Sequence, residues 1–101
     1  MSQSRPDIRY IIIHRPGPKW VEGVDFRDQP GVMQHVEYFQ KVRSEGKLAF
    51  GGPFLDNSGG MMIPAAGLDE EQVTRIAAAD PTVKNGLVTF EIRPWLVAMQ
   101  G

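Results

Sequence analysis

The chain has 101 residues, 42% of them apolar, no cysteine, and a formal net charge of −1. That size and apolar content fit one compact core, so a single domain over residues 1–101 is expected. The missing cysteines exclude disulfides, thiolate nucleophiles and cysteine metal sites, and a near-neutral charge without any Lys/Arg run gives no pull toward nucleic acid. The longest apolar run, "YIIIH", is too short to cross a bilayer, and "MSQSRPD" lacks the apolar region of a signal peptide. The expectation is a reduced, cytoplasmic protein with no nucleic-acid or membrane partner.

The first element, Ile8 to His14, is rich in β-branched residues and reads as a strand that is apolar on both faces. The segment Arg15 to Gln29 follows, carrying Pro16, Gly17, Pro18 and Gly23 and the aromatics Trp20 and Phe26. It suits neither a regular helix nor a central strand. A first helix is expected from Pro30 to Glu45, with Val32, Val36, Phe39 and Val42 at helical spacing and Gly46 beyond its C-terminus. "KLAFGG" reads as a short strand, "FLDNSGG" as a turn and "MMIPA" as a third strand. Asp69 caps a second helix, with Gln72 placed for a capping box, and that helix is expected to run to Asp80, before Pro81. "TVKNG" reads as a turn, and "LVTFEIRPW" as the last strand.

The order βαββαβ is that of a ferredoxin-like α+β fold, a four-stranded antiparallel sheet with two helices on one face. The last strand puts Val88, Phe90 and Ile92 on one side and Thr89, Glu91 and Arg93 on the other. The face away from the helices is therefore mixed, and a second copy of the chain would cover it, so a homodimer is expected.

His35 falls on the inner edge of the first helix, between Val32 and Val42 and close to Phe39. On the second helix Val73, Ile76 and Ala77 mark the inward side, and Asp80 continues that series. An acid at a helix C-terminus is disfavoured by the dipole and needs a partner. A histidine would serve, and an aspartate that orients an imidazole is a common acid–base arrangement. The plain alternative is a half-exposed histidine and an aspartate that only forms a turn or cap.

The stretches "HVEYFQKVRSEGKLAFGGPF", "GGMMI", "LDEEQV" and "AADPTVKNGLVTFEIRPW" together resemble the YciI-like (YCII-related) family over nearly the whole chain. The ordered set is a helix histidine, a Gly-Pro after the second strand, an Asp-Pro after the second helix and a Pro-Trp near the end. The resemblance implies a ferredoxin-like fold assembled as a dimeric α/β barrel. It also implies His35 and Asp80 as a catalytic pair, by correspondence with the family's helix histidine and Asp-Pro aspartate. The family is similar in architecture to muconolactone isomerases, and some relatives act as dehalogenases on aromatic-degradation intermediates. The loop "HRPGPKWVEGVDFRDQPG" is longer here than in the shorter members.

Further candidates surround this pair. His14 and Arg15 end the first strand and are placed either to bind an anionic substrate or simply to face water. Gly52 and Pro53 are expected to border a pocket, and Trp20 and Phe26 either close over an apolar ligand or anchor the loop. His14, His35 and Asp80 offer three donors of metal-ligand type, but no motif spacing supports a metal site, and no cofactor is expected. Two readings result. One is a small cofactor-independent isomerase-, lyase- or dehalogenase-like enzyme that moves a proton on an organic acid, lactone or quinone-like molecule, with Arg15 or Arg93 holding a carboxylate. The other is a non-catalytic dimeric module that binds a small molecule or a protein.

Overall fold

A computed structural model describes residues 6–101. The elements are β1 (Ile8–Pro16), α1 (Val32–Ser44), β2 (Leu48–Pro53), β3 (Gly60–Pro64), α2 (Glu70–Ala78), α3 (Pro81–Lys84) and β4 (Val88–Leu96), with a 3-10 turn at Phe26–Asp28. The four strands form one antiparallel sheet in the order β2-β3-β1-β4. This is the ferredoxin-like α+β arrangement expected from the element order.

Alternation along β1 divides the sheet into two faces. Ile12 pairs with Met62 on β3 and Ile92 on β4, and these residues face the helices. Ile12, Phe39, Val42, Met62, Val73 and Ala77 form the buried core, with Tyr10, Leu48, Leu68, Ile76 and Phe90 packed around it. On the opposite face Ile13 pairs with Met61 and Glu91, and Ile11 with Arg93. Pro94 is tolerated inside β4 because β4 is an edge strand.

Helix α1 is shorter than its apolar pattern suggests. It starts at Val32, because Gly31 at its N-cap adopts a left-handed φ of 81° that no helical residue takes. It ends in the paired bonds Gly46 N–H to Arg43 O and Lys47 N–H to Val42 O, a Schellman closure. Only the C-terminal half of its apolar stripe, Phe39 and Val42, enters the core. Val32 and Val36 lie beyond it.

The second helix also differs from expectation. α2 has the predicted Asp69–Gln72 capping box but stops at Ala78, and the chain begins a further helix at Pro81. Asp80 is the N-cap of that helix, α3, not the tail of α2. The residues read as a turn, "TVKNG", supply most of α3 and its C-cap. Proline at the first helical position explains the switch: it cannot continue α2, yet its fixed φ suits a new start. The dipole argument therefore reverses. Asp80 sits at a helix N-terminus, where negative charge is favoured.

The segment between β1 and α1, which suits neither a regular helix nor a central strand, is closely tied. Gln29, only 3% exposed, receives a hydrogen bond from Val21 N–H and donates to Val21 O and Val24 O, each at 2.8 Å. Gly17 and Lys19 N–H donate to Leu87 O and Gly86 O. Phe26 N–H donates to the side chain of Asn57 in the β2–β3 turn. The loop is thus fastened at three points, to itself, to the start of β4 and to the hairpin.

Candidate functional site

The site grows from the position that α2 and α3 leave to Asp80. As N-cap, its Oδ1 accepts from Thr82 N–H and from the Thr82 hydroxyl, both at 2.8 Å. That fixes the carboxylate and turns Oδ2 toward α1. There His35 Nδ1 lies 2.6 Å away, a charge-assisted distance. Asp80 and Thr82 are fully buried, and the His35 side chain keeps 18% of its exposure. Thr82 Oγ1 is also 3.3 Å from His35 Nδ1. Tyr38 donates its hydroxyl hydrogen to Ile76 O at 2.7 Å, which pins α1 against α2 beside the pair.

His14 joins from β1. It projects on the same face as Ile12 and is 3% exposed, so it does not face water as a strand end would. Its ring lies 4.9 Å from that of His35, near perpendicular, and 5.6 Å from Phe39. Its Nε2 is buried, lacks a hydrogen-bond partner among the described residues, and points to Asp80 Oδ2 at 3.9 Å. Gly59 makes this placement possible. A Cβ there would stand 1.9 Å from His14 O, so any side chain would displace the strand end that carries the histidine.

Burial, followed by the nearby His35, pushes the His14 pKa down to about 4, against the pull of Asp80. His14 is therefore a neutral imidazole at physiological pH. Burial alone would raise the Asp80 pKa. The hydrogen bond and charge of His35, with the Thr82 donors, outweigh it and hold the carboxyl below its usual range. The aspartate is thus an anion bonded to His35, with the neutral ring of His14 beside it.

Both histidines line a cavity of about 450 Å³. Its walls come from α1 (Val32, His35, Val36, Phe39, Gln40 and Arg43), from β2 and β3, and from Trp20 and Phe26 of the loop. The N-terminal half of the α1 apolar stripe serves this cavity, which explains why it leaves the core. Gly52 and Pro53 border it, and a Cβ on Gly52 would meet nothing within 4 Å.

Arg15 and Arg93 lie elsewhere. Arg15 is exposed, is not part of the cavity wall and forms an ion pair with Glu91. Arg93 pairs with the same glutamate, from β4. The cavity arginine is Arg43 of α1, which no local sequence pattern singles out. Its spacing of eight from His35 places both on one face of α1. Thr82 was also missed, although a Thr two residues after an Asp-Pro N-cap is a recognisable capping pattern.

Thus the structure brings His14, His35 and Asp80 together, with Trp20, Gly52 and Pro53 on the surrounding wall. Comparison with known sequences agrees with the architecture. The YCII-related domain matches residues 8–96, which include every element described above. The chain belongs to the YCII-related family. It is also 34% identical, over 68 residues, to the uncharacterized protein YjpA of Bacillus subtilis (strain 168); the match spans 67% of this chain and 79% of that protein. No solved structure matches. No helix among the described residues is long and apolar enough to cross a membrane.

Proposed function

We propose that the protein is a small enzyme that moves a proton on an apolar organic acid, lactone or quinone-like molecule, with His35 as the exchanging base and Asp80 as its orienting partner. The observation that carries this reading is the 2.6 Å contact between His35 Nδ1 and Asp80 Oδ2 at the wall of an apolar cavity. An ionised Asp80 accepts a hydrogen bond only from the Nδ1–H tautomer of His35. The lone pair is then on Nε2, which has no partner among the described residues. When Nε2 takes a proton from substrate, the adjacent carboxylate stabilises the imidazolium. Return of that proton to another carbon is an isomerisation, and departure of a leaving group after abstraction is an elimination. The pair supplies proton transfer and orientation for both.

The wall suggests how such a molecule is held. Trp20, Phe26, Phe39, Val36 and Met62 offer apolar surface for a flat body. Arg43 replaces Arg15 and Arg93 as the group that receives a carboxylate. His35 and Arg43 are eight residues apart, roughly 12 Å along the helix axis. Long helical side chains lean toward the N-terminus, which brings the guanidinium back toward His35.

The proposal extends to a homodimer. Ile13, Met61 and Phe50 give the sheet face away from the helices an apolar strip, flanked by Glu91 and Arg93. A second copy laid across it would bury that strip.

The test is isotope exchange. Carboxylic acids and lactones with an acidic C–H, incubated with the protein in deuterium oxide, are followed by loss of the proton NMR signal. The wild type is expected to accelerate exchange for at least one of them. His35→Gln is expected to lower that rate by about 10²- to 10⁴-fold, and Arg43→Gln to raise KM for acids more than for lactones. Exchange that His35→Gln leaves unchanged would remove His35 from the reaction.

A further inference from the structure

The proton-transfer pair uses two of three buried donor atoms and leaves the third unexplained. His14 Nε2 is buried, lacks a hydrogen-bond partner among the described residues and is aimed at the same Oδ2 that binds His35. A buried polar atom without a partner is a cost to the folded state. An apolar residue of similar size would fill the space on β1 without that cost. General-base chemistry at His35 does not call for it.

We propose that His14 Nε2, His35 Nδ1 and Asp80 Oδ2 form a binding site for a divalent late first-row transition-metal ion of the Zn2+ type. The three atoms lie within 4.8 Å of one another and come from three elements, β1, α1 and the α2–α3 junction. Two imidazoles and a carboxylate suit Zn2+, Ni2+ or Cu2+, and not the hard ions Mg2+ and Ca2+, which want oxygen ligands.

The separations bracket those a metal needs. Ligands at 2.0–2.1 Å from a tetrahedral ion stand roughly 3.3 Å apart. His35 Nδ1 and Asp80 Oδ2 are closer, at 2.6 Å, because they share a proton. His14 Nε2 and Asp80 Oδ2 are farther apart, at 3.9 Å. An ion that replaces the shared proton opens the first gap and closes the second, each by roughly 0.6–0.7 Å, and draws the two imidazoles together from a separation of up to 4.8 Å. The outer shell is already in place. Thr82 holds Oδ1 with two hydrogen bonds and leaves Oδ2 to the ion. Three protein ligands leave one position open to water or to a molecule from the adjoining cavity, the pattern of reactive rather than closed structural zinc sites.

The site goes beyond the proton-transfer reading and excludes it while occupied. A metal on Nδ1 forces the remaining ring proton of neutral His35 onto Nε2, which then has no lone pair to act as a base. Metal and substrate proton thus compete for one imidazole.

Chelator-treated full-length protein titrated with ZnCl2 by calorimetry tests this, with MgCl2 as the hard-ion control. The wild type is expected to bind one Zn2+ per chain at micromolar concentration or tighter, with a higher thermal midpoint, and to ignore Mg2+. His14→Met, and His14→Gln should the first fold poorly, are expected to weaken Zn2+ at least tenfold. Nitrogen-15 NMR of the His35 ring in the same metal-free variants is expected to keep the Nδ1–H tautomer, which separates the two readings. No Zn2+ binding by the wild type, or binding of equal strength in both His14 variants, overturns the metal site and leaves the proton-transfer pair standing.

Discussion

Ile12 and His14 stand two residues apart on the same face of the same strand, at 1% and 3% exposure. One enters an aliphatic core of Phe39, Val42, Met62, Val73 and Ala77. The other meets His35, Phe39 and, at 3.9 Å, a buried carboxylate. Equal burial therefore serves opposite ends. At Ile12 it removes apolar surface from water and contributes to stability. At His14 it strips an imidazole of water without giving Nε2 a partner, which costs stability and leaves a reactive group poised beside Asp80.

The largest expected effect breaks the first half of that contrast. Ile12→Ala should lower unfolding free energy by about 2–5 kcal/mol, the range for a buried aliphatic side chain replaced by alanine. Chemical denaturation at pH 7 measures it. A loss below about 1 kcal/mol would mean that the core repacks freely and that the contrast with His14 is empty.

The next effect follows from proton linkage. His14 titrates near 4 in the folded protein and near 6.5 when exposed. Its folded pKa is depressed, so the unfolded chain binds more protons between those values. The neutral form's stability is fully present above pH 6.5 and is lost as pH falls toward 4. The difference corresponds to roughly 3 kcal/mol. Asp80, with its lowered pKa, adds a loss in the same direction below the ordinary carboxylate value of 3.8. Denaturation midpoints measured from pH 7 to pH 4 should fall in the wild type, and fall much less in His14→Met. Parallel curves for the two proteins would contradict this use of burial.

The smallest effect has the opposite sign from the first. His14→Met at pH 7 should stabilise the protein by about 1–3 kcal/mol, because the orphaned nitrogen disappears while most of the volume stays. A destabilisation larger than about 1 kcal/mol would show that His14 already has a compensating partner.

The same contrast explains what could be read from the sequence. The strand β1 was legible because a β-branched run fixes it, but it is apolar on both faces, so alternation alone did not say that Ile12 rather than Ile11 turns to the helices; apolar spacing placed Phe39 and Val42 on one side of α1. The pair His35–Asp80 was legible as two inward positions on adjacent helices. The family resemblance picked out the same two residues. Asp80 was placed correctly in space for a partly mistaken reason. Periodicity carried it as the end of α2, whereas the chain restarts at Pro81 and makes it a cap. Thr82 followed that error, since a residue assigned to a turn has no reason to hold a carboxylate. His14 was taken most simply as a solvent-facing strand end because β1 seemed to stop there, and two more residues pair with β4. Arg43 and Gln29 depend on tertiary approach. No local pattern says which polar helix residue overlooks a cavity, or that one glutamine amide closes a loop.

The claim on which the functional reading rests is that Asp80 dictates which nitrogen of His35 carries the proton. In the wild type at alkaline pH, nitrogen-15 NMR of selectively labelled histidine should show the Nδ1–H tautomer of neutral His35, opposite to the usual preference of free imidazole. In Asp80→Asn the amide oxygen must keep accepting from Thr82 N–H, as Oδ1 does now. The amide nitrogen then faces His35 and donates to Nδ1, so the ring proton should move to Nε2. A tautomer that is Nε2–H in the wild type, or that does not change in Asp80→Asn, would contradict the account.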